Sequence, residues 1–100
     1  MKGIIIVFRL QSKTDQKILN KFCQRFYGQD TSSWKGKYRY HRQGLLDEIP
    51  HRKLIRGVII LLPRHEKTVK RFLRQYSAEV HVRTMILTVK DCKILGVPLK

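Results

Sequence analysis

The stretch GIIIVFRL, residues 3 to 10, is a nearly continuous run of branched apolar residues. A strand covered on both faces has this pattern, whereas a strand with one face in water alternates apolar and polar residues. LIRGVIILL, residues 54 to 62, is a second such run, in which Gly57 predicts a bulge or a close backbone contact. The two runs therefore predict the middle strands of one sheet.

The residues that follow each run change to a helical period. After the first run, Ser12 and Asp15 indicate a helix start and Gly28 a stop; after the second, Pro63 ends the strand and a helix is predicted from Arg64 to Tyr76. Each helix has one apolar stripe, which predicts one buried face. The stripes are Ile18, Leu19, Phe22, Cys23 and Phe26 in the first helix and Val69, Phe72, Leu73 and Tyr76 in the second.

Two further strands are predicted from alternation, at residues 37–42 and 79–89. Residues 29–36 are polar and turn-rich, residues 44–53 indicate a short turn that closes one end of the core, and the tail predicts one helical turn from Asp91. The order β-α-β-β-α-β predicts an α+β, ferredoxin-like βαββαβ sandwich with two helices on one face of a four-stranded antiparallel sheet. One hundred residues suit a single domain, expected over residues 1–100.

Charge is the strongest signal in the composition. Lysine and arginine number 22 against 7 acids, which gives a net charge of +15. Such an imbalance destabilises a compact chain through self-repulsion, and an anionic partner relieves it. The composition therefore predicts a polyanionic partner, and most simply nucleic acid.

Cysteine usage and the first residues indicate the compartment. Cys23 and Cys92 show no CxxC or Cys/His spacing, so neither a disulfide framework nor a zinc site is predicted. The first apolar run is too short to span a bilayer and no small-residue cleavage site follows it. Neither predicted helix combines a basic face with an exposed apolar one, as a membrane-surface helix does. We expect a cytoplasmic protein without a membrane partner.

The cations of the two predicted helices fall into rows, the first of which begins at Lys13. Solvated helix faces often carry charge, but they usually mix signs to gain pairs four residues apart, and these rows contain almost no acid. We predict a phosphate-binding surface that includes at least one helix. The candidate ligands are Lys17, Lys21 and Arg25 on the first helix and Lys67, Lys70, Arg71 and Arg74 on the second.

WKGKYRYHRQ, residues 34 to 43, interleaves cations with aromatic rings. Single-stranded nucleic acid is held by cations on phosphates and by rings stacked on bases, at about 1 to 3 kcal/mol per base. Either the two tyrosines pack into the core and the strand presents its cations, or the rings themselves face the partner. The candidates are Lys35, Lys37, Arg39 and Arg42 for phosphates and Trp34, Tyr38 and Tyr40 for stacking.

The sheet face opposite the helices is expected to be aliphatic. An RNA recognition motif stacks bases on aromatic residues of its middle strands, but here the first run offers only Phe8 and the second has no aromatic residue. A bare aliphatic face would be a large exposed patch that needs a cover. We expect a second copy to supply it, which gives a homodimer joined through the aliphatic sheet face.

A nuclease is one alternative to a protein that only binds. In predicted fold, size and charge the chain resembles the Cas2 family of CRISPR adaptation proteins, which bind duplex DNA and have been described as metal nucleases. The acidic residue of that family follows its first strand. Phe8, Arg9 and Leu10 stand there in this chain, so the resemblance brings no metal ligand to that place.

Asp47, Glu48 and His51 form the one cluster of acids with an imidazole in the sequence. Adjacent acids seldom converge on one ion, so a loop cap or an ion pair with Arg52 or Lys53 suits this cluster better than a metal site. A metal-independent ribonuclease would draw on the four histidines, whose spacing is not diagnostic. We therefore assign no catalytic residue and predict no metal or cofactor.

The sequence predicts a protein that binds RNA or DNA mainly through the phosphate backbone. Two alternatives remain: a small nuclease on the same surface, and a structural subunit of a ribonucleoprotein assembly whose partners cover both the basic surface and the aliphatic face.

Overall fold

The computed structural model describes residues 1–33 and 38–98, and within residues 30–33 and 38–40 it describes the backbone alone. The chain forms two compact units, one of Met1–Ser12 with Ile49–Lys100 and one of Lys13–Glu48, and each is described by itself. Short 3-10 helices occur at Leu45–Glu48 and Pro63–His65. The strands and α-helices are β1 Lys2–Arg9, α1 Gln16–Tyr27, β2 Gln29–Ser33, β3 Tyr38–Arg42, β4 His51–Ile55, β5 Val58–Leu61, α2 Glu66–Gln75, β6 Glu79–Ile86 and α3 Val89–Leu95. The expectation of a single domain stays a prediction.

The larger unit contains a four-stranded antiparallel sheet in the order β4-β5-β1-β6. The strands formed by the two apolar runs, β1 and β5, lie in the middle, as predicted. Ile6 pairs with Ile59 on one side and with Val82 on the other, and Ile6 and Ile59 are fully buried. The predicted α+β class and the antiparallel sheet are thus confirmed.

The second apolar run forms two strands rather than the predicted one. β4 and β5 make a hairpin around Gly57, whose φ of +91° suits glycine. The backbone N–H of Phe8 donates to the Gly57 carbonyl at 2.8 Å, and a Cβ on Gly57 would lie 2.8 Å from the Phe8 carbonyl oxygen. The close backbone contact predicted at Gly57 is therefore present, and β4 fills the fourth place in the sheet, where the prediction puts residues 37–42.

Two helices cover opposite faces of this sheet. Ile4, Leu61 and Val82 share one face, and their strand neighbours Ile5 and Ile60 point to the other. α2 lies on the first face, because its cations border a groove with Val80 and Val82 of β6. α3 lies on the second face, where a buried cluster joins Ile60, Leu87, Cys92 and Leu95.

α3 changes the prediction for the aliphatic face. It begins at the N-cap Thr88, which forms a capping box with Asp91, and it spans seven residues rather than one turn. Because α3 packs on Ile60, with Ile5 and Met85 half-buried against the same cluster, part of the face expected to need a second copy is already covered. The described residues contain three α-helices rather than two, so the ferredoxin-like sandwich is not confirmed.

The smaller unit contains α1, the antiparallel pair of β2 and β3, and the first 3-10 helix. Residues 29–33, predicted as a turn, form a strand that pairs antiparallel with β3. Gln29 lies opposite Arg42 at one end of the pair, and Ser33 lies opposite Tyr38 at the other. Backbone pairing overrides the weak strand propensity of this polar segment. Phe22 and Phe26 stack 5.2 Å apart, and both are buried, as is Leu46.

Candidate nucleic-acid interface

α1 is held in place by its N-cap and by two aromatic residues. The side chain of Asp15 accepts a hydrogen bond from the Lys17 backbone N–H at 3.2 Å, which satisfies one open donor of the first turn. Phe22 and Phe26 are buried, whereas Ile18, predicted on the same stripe, is 47% exposed. The buried stripe is therefore narrower than predicted, and the rest of the helix surface is open to solvent.

The cations of α1 form an exposed row, here called the α1 row, of Lys17, Lys21 and Arg25. Successive members are about 6 Å apart along the axis, at 1.5 Å per residue. The helix contains no acid, and no ion pair joins any of the three to another residue that the structure describes. Lys13, also exposed, precedes the helix. The row is thus a line of uncompensated positive charge.

α2 carries a second group of cations in the larger unit. Lys67, Arg71 and Arg74 are exposed, and we call them the α2 row. Lys70 differs, because it is half-buried and its Nζ lies 3.5 Å from Oε2 of Glu66, one turn earlier. The cations of this helix are predicted to lie among almost no acids. That prediction fits the α2 row, whereas Lys70 has an acid, Glu66, beside it.

A groove of about 420 Å³ runs between α2 and β6. Lys70 and Arg74 line one side, and Ala78, Val80 and Val82 line the other. The groove therefore places two cations beside an apolar wall. The groove joins the predicted ligands Lys70 and Arg74 to strand residues that sequence reasoning did not select.

The aromatic segment can be placed only in part. Arg42 is exposed at the end of β3. Tyr38, Arg39 and Tyr40 belong to β3 by their backbone. Trp34, Lys35 and Lys37 lie outside the described residues. The two orientations of the tyrosines therefore both remain predictions.

Asp47 forms a contact that the sequence reasoning missed. Its Oδ2 accepts a hydrogen bond from the Gly44 backbone N–H at 2.7 Å and lies 2.7 Å from Nε2 of His41. Gly28 makes room for the pair, since a Cβ there would lie 2.6 Å from both Oδ2 of Asp47 and Nε2 of His41. The predicted loop cap is thus present, and His41 lies beside the same carboxylate. His51 instead places its Nδ1 2.8 Å from the Ile49 carbonyl oxygen.

Two other cations are engaged within the protein. The Arg52 guanidinium donates to Asp91 at 2.5 Å, and that of Arg9 donates to Glu79 at 2.5 Å. Burial and the neighbouring Arg64 charge lower the pKa of His65 and so disfavour its charged form. Arg52, Arg9 and His65 are therefore weaker candidates for phosphate binding than the two rows.

The described part of the chain, residues 1–33 and 38–98, contains no group of three His, Cys, Asp or Glu side chains that could hold a metal ion. No helix in these ranges is long and apolar enough to cross a membrane. Comparison of the chain with protein-family models, curated proteins and solved structures returned no match.

Proposed function

We propose that the protein binds RNA or DNA mainly through the phosphate backbone, with the α1 row as the principal contact. The observation that carries this proposal is the row itself: Lys17, Lys21 and Arg25 are exposed, lie on a helix without acids, and pair with no described residue.

The cations of the α1 row repel one another. Like charges four residues apart on a helix cost roughly 0.2 to 0.5 kcal/mol per pair, and the chain carries a net charge of +15 in total. A phosphate backbone turns this repulsion into attraction and releases condensed counterions, which supplies most of the free energy of non-specific binding. The α2 row and the groove beside it provide a second set of contacts of the same chemistry.

The test is titration of fluorescent single- and double-stranded RNA and DNA oligonucleotides at several salt concentrations. The slope of log K against log salt should be about −0.9 per phosphate contact on duplex DNA and about −0.7 on single strands. The triple variant Lys17→Ala, Lys21→Ala, Arg25→Ala should reduce the magnitude of the slope by about 2 to 3 and weaken binding. Its helix should persist, because alanine has the highest helix propensity.

The matched control replaces three other exposed lysines by alanine, Lys2, Lys90 and Lys93, and so removes the same charge from another part of the molecule. The control should keep nearly the wild-type slope. Equal losses in the two triple variants would show that net charge alone matters and would remove α1 as the site. Absence of binding at moderate salt would overturn the proposal in favour of a protein partner.

The same reactions separate binding from chemistry. Oligonucleotides that stay intact with and without magnesium support a binding protein, whereas shortened products would favour the nuclease alternative. A cytoplasmic location suits this function, because nucleic acid is accessible there and the thiols of Cys23 and Cys92, which form no disulfide in the structure, would stay reduced.

A further inference from the structure

β6 is the outermost strand on one side of the sheet. It pairs with β1 over its full length, from Glu79 opposite Arg9 to Ile86 opposite Lys2, without a shift in register. No strand among the described residues pairs with its other edge. Such an edge presents a row of backbone N–H and C=O groups that can accept another strand.

The opposite edge of the sheet is better protected than the β6 edge, where the Arg83 guanidinium donates to the Val82 carbonyl at 2.8 Å and would turn to Glu79 of a partner strand. β4 has only five residues, its register shifts between Lys53 and Ile55, and its Arg52 is bound to Asp91 of α3. Bulges, lysines and short length are the usual devices that prevent edge pairing. β6 has eight residues, EVHVRTMI, with no lysine, proline or bulge. This asymmetry indicates that the β6 edge serves as a pairing surface.

We propose that a second copy of this chain pairs antiparallel along β6, edge to edge, about a twofold axis at His81. The two four-stranded sheets then form one continuous sheet, a mode of association known as β-augmentation. This interface differs from the aliphatic face, which α3 partly covers. The inference does not rest on nucleic-acid binding.

The charged residues of β6 favour one register of the new strand pair. Residues opposite each other in antiparallel strands must point to the same face, so the allowed registers differ by steps of two. When the twofold axis passes through His81, Glu79 of each copy lies opposite Arg83 of the other, and Val80 of each lies opposite Val82. The dimer then contains two Glu79–Arg83 ion pairs. Centring on Val82 would place Arg83 opposite His81 and Glu79 opposite Met85, which loses both ion pairs.

The side chains concerned are accessible. Glu79 and His81 have side chains that are 48% and 56% exposed, and Arg83 is also exposed. The hydrogen bond and charge of Arg9 hold the pKa of Glu79 below its ordinary value, so the carboxylate is ionised at neutral pH. On the other face, Val80 and Val82 are half-buried and gain an apolar neighbour across the new pair.

The pairing has a consequence for the basic surface. A twofold axis perpendicular to the sheet keeps both copies of α2 on the same face. The two grooves lined by Lys70 and Arg74 then lie on either side of the new strand pair. The dimer therefore presents twice the positive charge of one chain on one side of a continuous sheet.

The test is sedimentation velocity of the nucleic-acid-free protein at about 0.15 M salt, where the Debye length of about 8 Å screens distant charges more than contacting ones. The wild-type chain should show a concentration-dependent dimer. The Arg83→Glu variant carries two acids at the edge, and the Glu79→Arg variant carries two cations there. Each variant should dimerise at least about tenfold more weakly than the wild type, because both symmetric pairs become repulsive. An equimolar mixture of the two variants should restore the dimer as a heterodimer.

The matched control is Lys90→Glu, which makes the same change of charge at an exposed position on α3 and should leave dimerisation unchanged. Glu79→Arg also removes the contact with Arg9, whereas Arg83→Glu leaves it intact, so the second variant tests the edge even if the first unfolds. A monomeric wild type, an Arg83→Glu variant that dimerises like the wild type, or a mixture that stays monomeric would each overturn the proposal.

Discussion

Asp91 shows how one residue ties α3 to the sheet. Only 2% of its surface is exposed, yet its carboxylate accepts hydrogen bonds from the Thr88 backbone N–H at 2.9 Å and from Arg52 of β4 at 2.5 Å. The Thr88 backbone bond is the largest cause that lowers the pKa of Asp91, and the Arg52 guanidinium adds to it against the opposing effect of burial. The carboxylate is thus both a helix cap and a link between α3 and β4.

At the residue scale we predict that Asp91→Asn lowers the melting temperature by about 5 °C or more at pH 7, since the cap and the ion pair are both weakened. The folded-state pKa of Asp91 is depressed, so its ionised form stabilises the protein above the unfolded-state value of about 3.9. This stabilisation is lost as the pH falls through the lower folded-state value.

Thermal unfolding followed by circular dichroism from about pH 7 down to about pH 2 checks this prediction. The difference in melting temperature between the wild type and Asp91→Asn should be largest at neutral pH and should shrink below about pH 4. A difference that stays constant over the whole range would contradict the assigned role of the charge.

At the scale of the element, α3 carries a buried leucine next to an exposed isoleucine. Leu95 is 3% exposed within the cluster of Ile60, Leu87 and Cys92, whereas Ile94 is 47% exposed. Removal of a buried leucine side chain loses its transfer free energy and leaves a cavity. α3 should therefore depend on Leu95 and not on its neighbour.

We predict that Leu95→Ala lowers the free energy of unfolding by about 2 to 4 kcal/mol, measured by urea denaturation. The matched control Ile94→Ala, which removes the same number of carbon atoms one position earlier, should change it by less than about 0.5 kcal/mol. Equal effects of the two substitutions would mean that α3 does not pack on the sheet as described.

At the scale of the whole molecule, the net charge of +15 should oppose folding through self-repulsion. We predict that the melting temperature rises by a few degrees between low ionic strength and about 0.5 M sodium chloride, because salt screens this repulsion. The triple alanine variant of the α1 row should show a smaller rise, since it carries three fewer charges. A melting temperature that falls with salt would show that favourable ion pairs outweigh the repulsion.

Much of the architecture follows from periods of two to four residues along the chain. The run from Gly3 to Leu10 and the core of the second run indicate middle strands because neither carries enough polar side chains to face water. The helical spacing of α1 and α2 likewise separates Phe22 and Leu73, which are buried, from Lys21 and Arg71, which are exposed. These features are readable because local spacing alone sorts side chains between core and solvent.

The tertiary structure adds what depends on residues far apart in the chain. Whether β4 or β3 joins the sheet is a competition for the edge of β5, and β4 wins although residues 44–53 are predicted as a turn. The ion pair of Arg52 with Asp91 and the packing of α3 on Ile60 arise in the same way, from the folding of separate segments onto one another. Spacing along the chain cannot resolve such choices, because strand partners and covering helices are set by the total free energy of the packed alternatives.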